Sequence, residues 1–406
     1  MSKTVLVLGG DGFCGWPTSL HLSALGYEVV IVDNFVRRHI AEELGAPSLT
    51  PISSIDERLN TWKEVSGHDI DIVELDIARD RCELRRLLAS VRPDAIVHFA
   101  EQRAAPYSMR DAAHRAYTVD NNINGTHNVL SAVVELGLDT HFVHLGTMGV
   151  YGYEGDGLEI PEGYLNVVVE GPDGARHPRS ILYPTKPGSI YHLTKSMDQL
   201  MFQFYARNDR MKITDLHQGI VWGTQTEQTR LDPALINRFD YDGDYGTVLN
   251  RFLMQAAAGH PLTVHGTGGQ TRAFINIQDT VRCVALAIEN PPAAGDQVRI
   301  INQVAETHRV RDLAELVAEL TGADIEYLDN PRSEAAENDL AVSSKTLKGL
   351  GLEPILLRDE LLTETVDIAL RFIERANLDT IPATALWPGR REPETPQLEA
   401  PRFALR

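Results

Sequence analysis

The sequence predicts an α/β fold: a doubly wound parallel sheet that carries a smaller mixed α/β lobe toward the C-terminus. Three observations predict it. Short apolar runs alternate with helical stretches through the first half of the chain. A glycine triplet, Gly9-x-x-Gly12-x-x-Gly15, follows the first apolar run directly and opens the first helical stretch. A carboxylate, Asp33, closes the second apolar run.

The elements follow in order. "TVLVLG" (4–9) reads as a strand, and "FCGWPTSLHLSALG" (13–26) as a helix ended by Gly26. "YEVVIVD" (27–33), "DIDIVELD" (69–76), "DAIVHFA" (94–100) and "HFVHLGT" (141–147) read as four more strands. Helical apolar spacing over 121–137 separates the last two. Such alternation implies right-handed βαβ units and a sheet buried on both faces. The expected first domain spans residues 1–220, with 34–68 and 153–187 as long inserted loops. A second lobe is expected over 221–380, and a Pro-rich tail over 381–406.

Composition narrows the function. The 406 residues include 38 basic and 57 acidic side chains, a formal net charge of −19. That field disfavours nucleic acid and anionic membrane surfaces as partners. No apolar run is long enough to cross a membrane. The cysteines, Cys14, Cys82 and Cys283, are odd in number and far apart, so a reducing compartment is expected. A strand begins almost at the first residue and leaves no room for a leader, so the expected location is cytoplasmic. No metal-ligand spacing occurs. His141 and His144 lie in one strand, face opposite ways and read as structural.

The glycine triplet is the signature of a Rossmann-type dinucleotide cradle. Glycine permits the tight turn, lets backbone N–H groups approach a pyrophosphate, and lets helix pack on strand. Gly9, Gly12, Phe13, Cys14 and Gly15 are the expected cradle, with Cys14 as a small packing residue. Asp33 and Asn34 would take the adenosine ribose, and a carboxylate there repels a 2′-phosphate, which favours NAD over NADP. Arg37 and Arg38 follow closely and argue the other way. Asp76 and Ile77 fit either the adenine edge or a strand-end cap. Arg37, Phe99, Ala100, Asn122, Tyr191, Lys195 and Gln218 complete the expected cofactor set, with Lys195 on the nicotinamide ribose hydroxyls.

In "GSIYHLTKSM", Tyr191 and Lys195 are one helical turn apart on one face. A phenol has a pKa near ~10 in isolation. A neighbouring ammonium and an oxidised nicotinamide stabilise the phenolate, so the tyrosine can take a proton from an alcohol whose carbon gives up hydride. Thr147, ending the fifth strand, could hydrogen-bond the same alcohol.

With these residues in view, the chain resembles the extended short-chain dehydrogenase/reductase superfamily of NAD-dependent sugar-nucleotide epimerases and dehydratases. The resemblance is strongest to the UDP-sulfoquinovose synthase branch. It is carried by "GGDGFCGW", "IVDNFVRR", "SLTPISSI", "HFAEQRAAPYSM", "LGTMGVYG", "YHLTK", "GTVLNRF", "GHPLTVHGTGGQTR" and "NPRSEAAE", over about residues 3 to 355. It implies sulfolipid biosynthesis and a conversion of UDP-glucose and sulfite into UDP-sulfoquinovose with tightly bound NAD. The implied steps are oxidation at C4 by Tyr191, Lys195 and Thr147, loss of water across C5 and C6, addition of sulfite at C6, and return of hydride to C4.

Dehydratases of the superfamily place an Asp-Glu pair after the catalytic threonine; Met148 and Gly149 stand here instead. His192 is therefore the candidate proton shuttle at C5 and C6, with a packed imidazole as the plain alternative. Val150 occupies a position where the branch pattern has glutamate and simple epimerases have valine; Glu101 is another group that could serve. Arg103 suits sulfite or a sugar hydroxyl, or else an ion pair with Glu101 or Asp111. By the resemblance, Gly219, Asn250, Arg251, Gln270, Arg272 and Arg332 would bind the UDP-sugar in the second lobe, and His217, Gln218 and Trp222 would help to floor the sugar site. A homodimer through paired helices is usual in the superfamily. The competing readings are a UDP-hexose 4-epimerase without C–S chemistry and a non-catalytic nucleotide sensor.

Overall fold

A computed structural model describes residues 2–152, 157–330, 335–358 and 361–382. Seven parallel strands form the central sheet: β1 (Thr4–Leu8), β2 (Glu28–Asp33), β3 (Ile70–Glu74), β4 (Ala95–His98), β5 (His141–Thr147), β6 (Lys212–Gln218) and β7 (Arg299–Gln303). Their spatial order is β7-β6-β5-β4-β1-β2-β3. The order reverses between β1 and β4, and a crevice opens there at the carboxyl ends of the strands.

The strands are apolar on both faces because helices cover both. Val5 and Val7 of β1 join Trp16, Leu20 and Leu22 in one core layer. Leu6 and Leu8 join Val129, Val133 and Phe202 in the other. Three helices position the site: α1 (Gly15–Ala24), α2 (Ala112–Glu135) and α3 (Ile190–Asn208). Asp111 caps α2 by accepting from His114 N–H, and Ser189 caps α3 by accepting from His192 N–H.

The second lobe has a three-stranded sheet (Ile220–Trp222, Thr271–Asn276, Glu306–Arg309) and a separate core that includes Trp222, Phe252 and Phe274. The chain returns to the main sheet for β7, inside the stretch 221–380. The tail from residue 383 and Arg332 lie outside the described residues.

Two expectations need correction. The insertion 34–68 is no loop: it holds helices Val36–Glu43 and Ile55–Ser66, the second capped by Ser54. The insertion 153–187 holds a hairpin, Tyr164–Glu170 against Arg176–Leu182, closed through Gly171-Pro-Asp-Gly174. Both were legible in principle, the first from Ser54 with acidic residues in the following turn, the second from a Pro-Asp-Gly turn between β-rich runs.

Candidate active site

The crevice is a cavity of about 390 Å³. At one end lies the glycine turn. Gly9 has φ +81°, and a Cβ there would sit 2.8 Å from Ala100 N. A Cβ on Gly15 would sit 2.0 Å from the Gly9 carbonyl oxygen. Only glycine allows this turn, and its backbone borders the cavity together with Phe13, Cys14, Asn34, Asp76, Ile77, Phe99 and Ala100. Asp33 accepts N–H bonds from Asp11 and Phe35, both at 2.8 Å. Burial pushes its carboxyl up to about 6, against those bonds. Asp76 both lines the cavity and accepts from Ala78 N–H (3.0 Å), so the two roles offered for it coexist.

The arginines after β2 are already engaged. Arg38 makes a bidentate pair with Asp11, both contacts at 2.7 Å. Arg37 binds Asp240 (2.9 Å) and stacks on Tyr245, 3.7 Å from the ring centre. Arg38 is spent on Asp11 and does not line the cavity, whereas Arg37 lines it with Nε and Nη1 unpartnered among the described residues, so the fit to NAD rests on the Asp33 carboxylate at the end of β2. Cys14 has its thiol pushed up to about 11 by burial, which suits packing and not nucleophilic attack.

Thr147, Tyr191, His192 and Lys195 line the cavity beyond the cradle. Thr147 Oγ1 accepts from Gly149 N–H (3.1 Å), which orients the hydroxyl and leaves its proton to donate. Lys195 donates to the Leu145 carbonyl (2.7 Å). The His192 ring lies against Gly149: a Cβ there would be 2.3 Å from it. The imidazole thus occupies the space into which a side chain at 149, in the threonine's turn, would project. His192 Nδ1 meets Ser189 Oγ at 3.1 Å, so the helix cap also orients the ring.

Arg103, Gly219, Arg251, Gln270 and Arg272 face the same cavity, with His265 and Asn330 beside them. Gln218 does too, donating to Thr280 (3.1 Å). Arg103 pairs with Asp240 (2.5 Å) and with neither Glu101 nor Asp111.

Other expected residues are not brought to the cavity. Asn122 is fully buried and ties Gln102 to Thr194. Asn250 is turned to the Asp240 carbonyl (3.0 Å). Trp222 is in the lobe core. His217 is buried behind β5, between Asp215 (2.9 Å) and Tyr151 (2.6 Å). Glu101 borders the cavity but is ion-paired with Lys195 at 2.7 Å, so it is not a free base. Val150 packs with Tyr151, Ile160, Ala273 and Val304 and does not line the cavity, so its valine removes no group from the cavity surface.

Sequence reasoning missed the segment that closes the cradle. Trp16 donates to the Leu235 carbonyl (2.9 Å), Asn237 to that of Phe13 (2.9 Å), and Thr50 to that of Asn237 (2.6 Å). This segment carries Arg238 and Asp240. Three guanidinium groups, Arg37, Arg103 and Arg238, converge on the one Asp240 carboxylate. The surplus positive charge faces the cavity and favours anionic ligands.

The family described as "NAD dependent epimerase/dehydratase family" matches residues 5–302. A chloroplastic UDP-sulfoquinovose synthase of Spinacia oleracea is 45% identical over 390 residues, 95% of this chain and 79% of that protein. The UDP-sulfoquinovose synthase of Sulfolobus acidocaldarius is 40% identical over 356 residues, 86% of this chain and 88% of that one. Among solved structures, the UDP-glucose 4-epimerase of Bifidobacterium longum, in complex with NAD+ and UDP, aligns with TM-score 0.66 at 20% identity, covering 92% of this chain and 98% of that one. That likeness is one of fold.

Proposed function

Because the chain belongs to the NAD-dependent epimerase/dehydratase family, we propose that it converts UDP-glucose and sulfite into UDP-sulfoquinovose. The observation that carries this reading beyond simple epimerisation is His192, seated against Gly149 beside Tyr191 in the common cavity. An epimerase acting only at C4 has no use for a second proton-transfer group there.

The glycine turn and Asp33 would hold NAD, which when bound would supply the hydride acceptor for C4 and the hydride donor for its re-reduction. Tyr191 accepts the proton of the C4 hydroxyl, with Lys195 favouring the phenolate and Thr147 donating a hydrogen bond to the substrate oxygen. The ketone acidifies the C5 hydrogen. His192 removes that proton and passes it to the departing C6 hydroxyl, which leaves as water. Sulfite then adds through sulfur at C6 of the enone, and a proton returns to C5. Tyr191 returns its proton as C4 is reduced. The balance is one UDP-glucose, one sulfite dianion and one proton in, one UDP-sulfoquinovose and one water out. Arg103 and its neighbours at Asp240 supply the field that receives the anions. Arg251, Gln270 and Arg272 take the UDP end.

The test is isotopic. The enzyme is incubated with UDP-glucose and sulfur-labelled sulfite, and nucleotide sugars are resolved by mass spectrometry. Label in a UDP-hexose sulfonate is the expected result. UDP-galactose alone, with or without sulfite, would leave the epimerase reading in its place.

A homodimer belongs to the same proposal. Leu193, Met197, Leu200 and Phe204 form an exposed apolar stripe along α3, with Leu200 65% and Phe204 53% exposed. We expect this face to pair with a second copy. Leu200→Glu with Phe204→Glu should halve the mass seen in sedimentation, and an unchanged mass would refute the pairing. The three cysteines are free, and no helix among the described residues is long and apolar enough to cross a membrane. A cytoplasmic location is part of this reading.

A further inference from the structure

Behind Lys195 lies a buried charged network that the reaction scheme does not use. Glu101 comes from the turn after β4, His144 from β5, Asp198 from α3, and Asp215 and His217 from β6. Glu101 Oε2 is 2.7 Å from Lys195 Nζ. Its other oxygen, Oε1, lies 3.0 Å from His144 Nε2 and 3.4 Å from His98 Nε2, and accepts from Thr126 (3.2 Å). His144 Nδ1 meets Asp215 Oδ1 at 2.8 Å. Gly146, two residues along β5, makes room for this: a Cβ there would be 2.4 Å from the same Asp215 oxygen. Lys195 Nζ is also 2.9 Å from His144 Nε2.

We infer that Glu101 is a positioning residue for the C4 proton transfer, keeping the Lys195 ammonium charged and fixed behind Tyr191 while His144 and Asp215 complete the charge balance. An amine this deeply buried, touching solvent only through the cavity, has little water to hold its proton. Lys195 does have four other neighbours that matter: Tyr191 and Asp198 on its own helix, His144 on β5, and Glu101 on the turn. Burial works against its ammonium, and Glu101 is the chief group that outweighs burial and raises its pKa. The other groups fall into place around that pair. Burial opposes the Glu101 carboxylate, yet Lys195 and His144 hold it well below the usual range. Burial and Lys195 oppose protonation of His144, yet Asp215 and Glu101 raise it to about 9. Burial and Glu101 together push the Asp198 carboxyl up. Burial takes His98 down to about 3, leaving it neutral. Burial also opposes the Asp215 carboxylate, but His217 and His144 keep it ionised. Within this set, Glu101 is the anion in direct contact with the lysine.

The inference rests on the C4 chemistry proposed above, and its test separates the two. The near-ultraviolet absorbance of reduced nicotinamide is followed when UDP-glucose is added to the NAD-loaded enzyme, across a range of pH. The parent should show a rate that rises to a plateau as Tyr191 ionises; no signal at any pH would refute the C4 chemistry itself. In Glu101→Gln the lysine loses its anion and sheds its proton more readily, so the phenol becomes harder to ionise. The acid limb should move up by about one pH unit, a tenfold slower rate below the midpoint. Glu101→Asp, which keeps the charge, should restore most of that shift. A Glu101→Gln variant that folds, responds and keeps the parent midpoint would overturn the inference. If that variant does not fold, the parent decides: a midpoint set by a buried pair should be nearly insensitive to salt, and one that drifts with ionic strength like that of an exposed charge would overturn it as well.

Discussion

Tyr191→Phe should lose between about 10²- and 10⁴-fold in turnover, the range expected when a positioned proton-transfer group is removed. The ring is half-buried at the start of α3, and its main-chain N–H is bonded to Ser108 Oγ at 3.2 Å. Phenylalanine keeps the ring and this contact, so fold and melting temperature should hold. The glycine turn and Asp33 are left unaltered by the change, so NAD should remain bound. The loss should fall on kcat and far less on KM, because the hydroxyl acts on the transition state and contributes little to holding UDP. A variant as fast as its parent would remove Tyr191 from the chemistry and take the sulfonation scheme with it.

His192→Asn should show the second large effect, and a more selective one. The amide retains a polar contact to Ser189 but cannot carry a proton at neutral pH. Formation of sulfonate should fall by roughly 10²- to 10⁴-fold, while oxidation at C4 continues. The variant should therefore build up reduced cofactor on UDP-glucose without consuming sulfite. A parallel loss of both steps would make His192 a packing residue. Intact sulfonate formation would send the search for the C5 base elsewhere along the cavity wall.

The cofactor end of this site was legible in the sequence because its signals are local. Three glycines at fixed spacing, a strand before them and a carboxylate after the next strand describe one supersecondary unit. The Tyr191 and Lys195 pair was legible for the same reason, since a single helix sets its geometry. What escaped were contacts between distant segments. Asp240 gathers arginines from three places in the chain. Lys195 takes its counter-ion from the turn after β4, and His144, read as structural, proves to bridge two buried carboxylates. No periodicity encodes such meetings. Gly149 is an intermediate case. The missing Asp-Glu pair was visible as an absence, but only the folded helix shows an imidazole filling the space beside it. Asn122 and Asn250 show that a polar residue in a matching motif can also serve the backbone, since each donates to a main-chain carbonyl group.

The central claim is that hydrogen leaves C4 as hydride and C5 as a proton within one cavity. Turnover of UDP-glucose with sulfite in deuterated water, followed by magnetic resonance of the isolated product, tests both halves at once. The account predicts deuterium at C5, where the proton passes through an exchangeable imidazole, and none at C4, where the hydrogen is carried out of reach of solvent. Deuterium at C4, or a C5 position that keeps its original hydrogen, would contradict it.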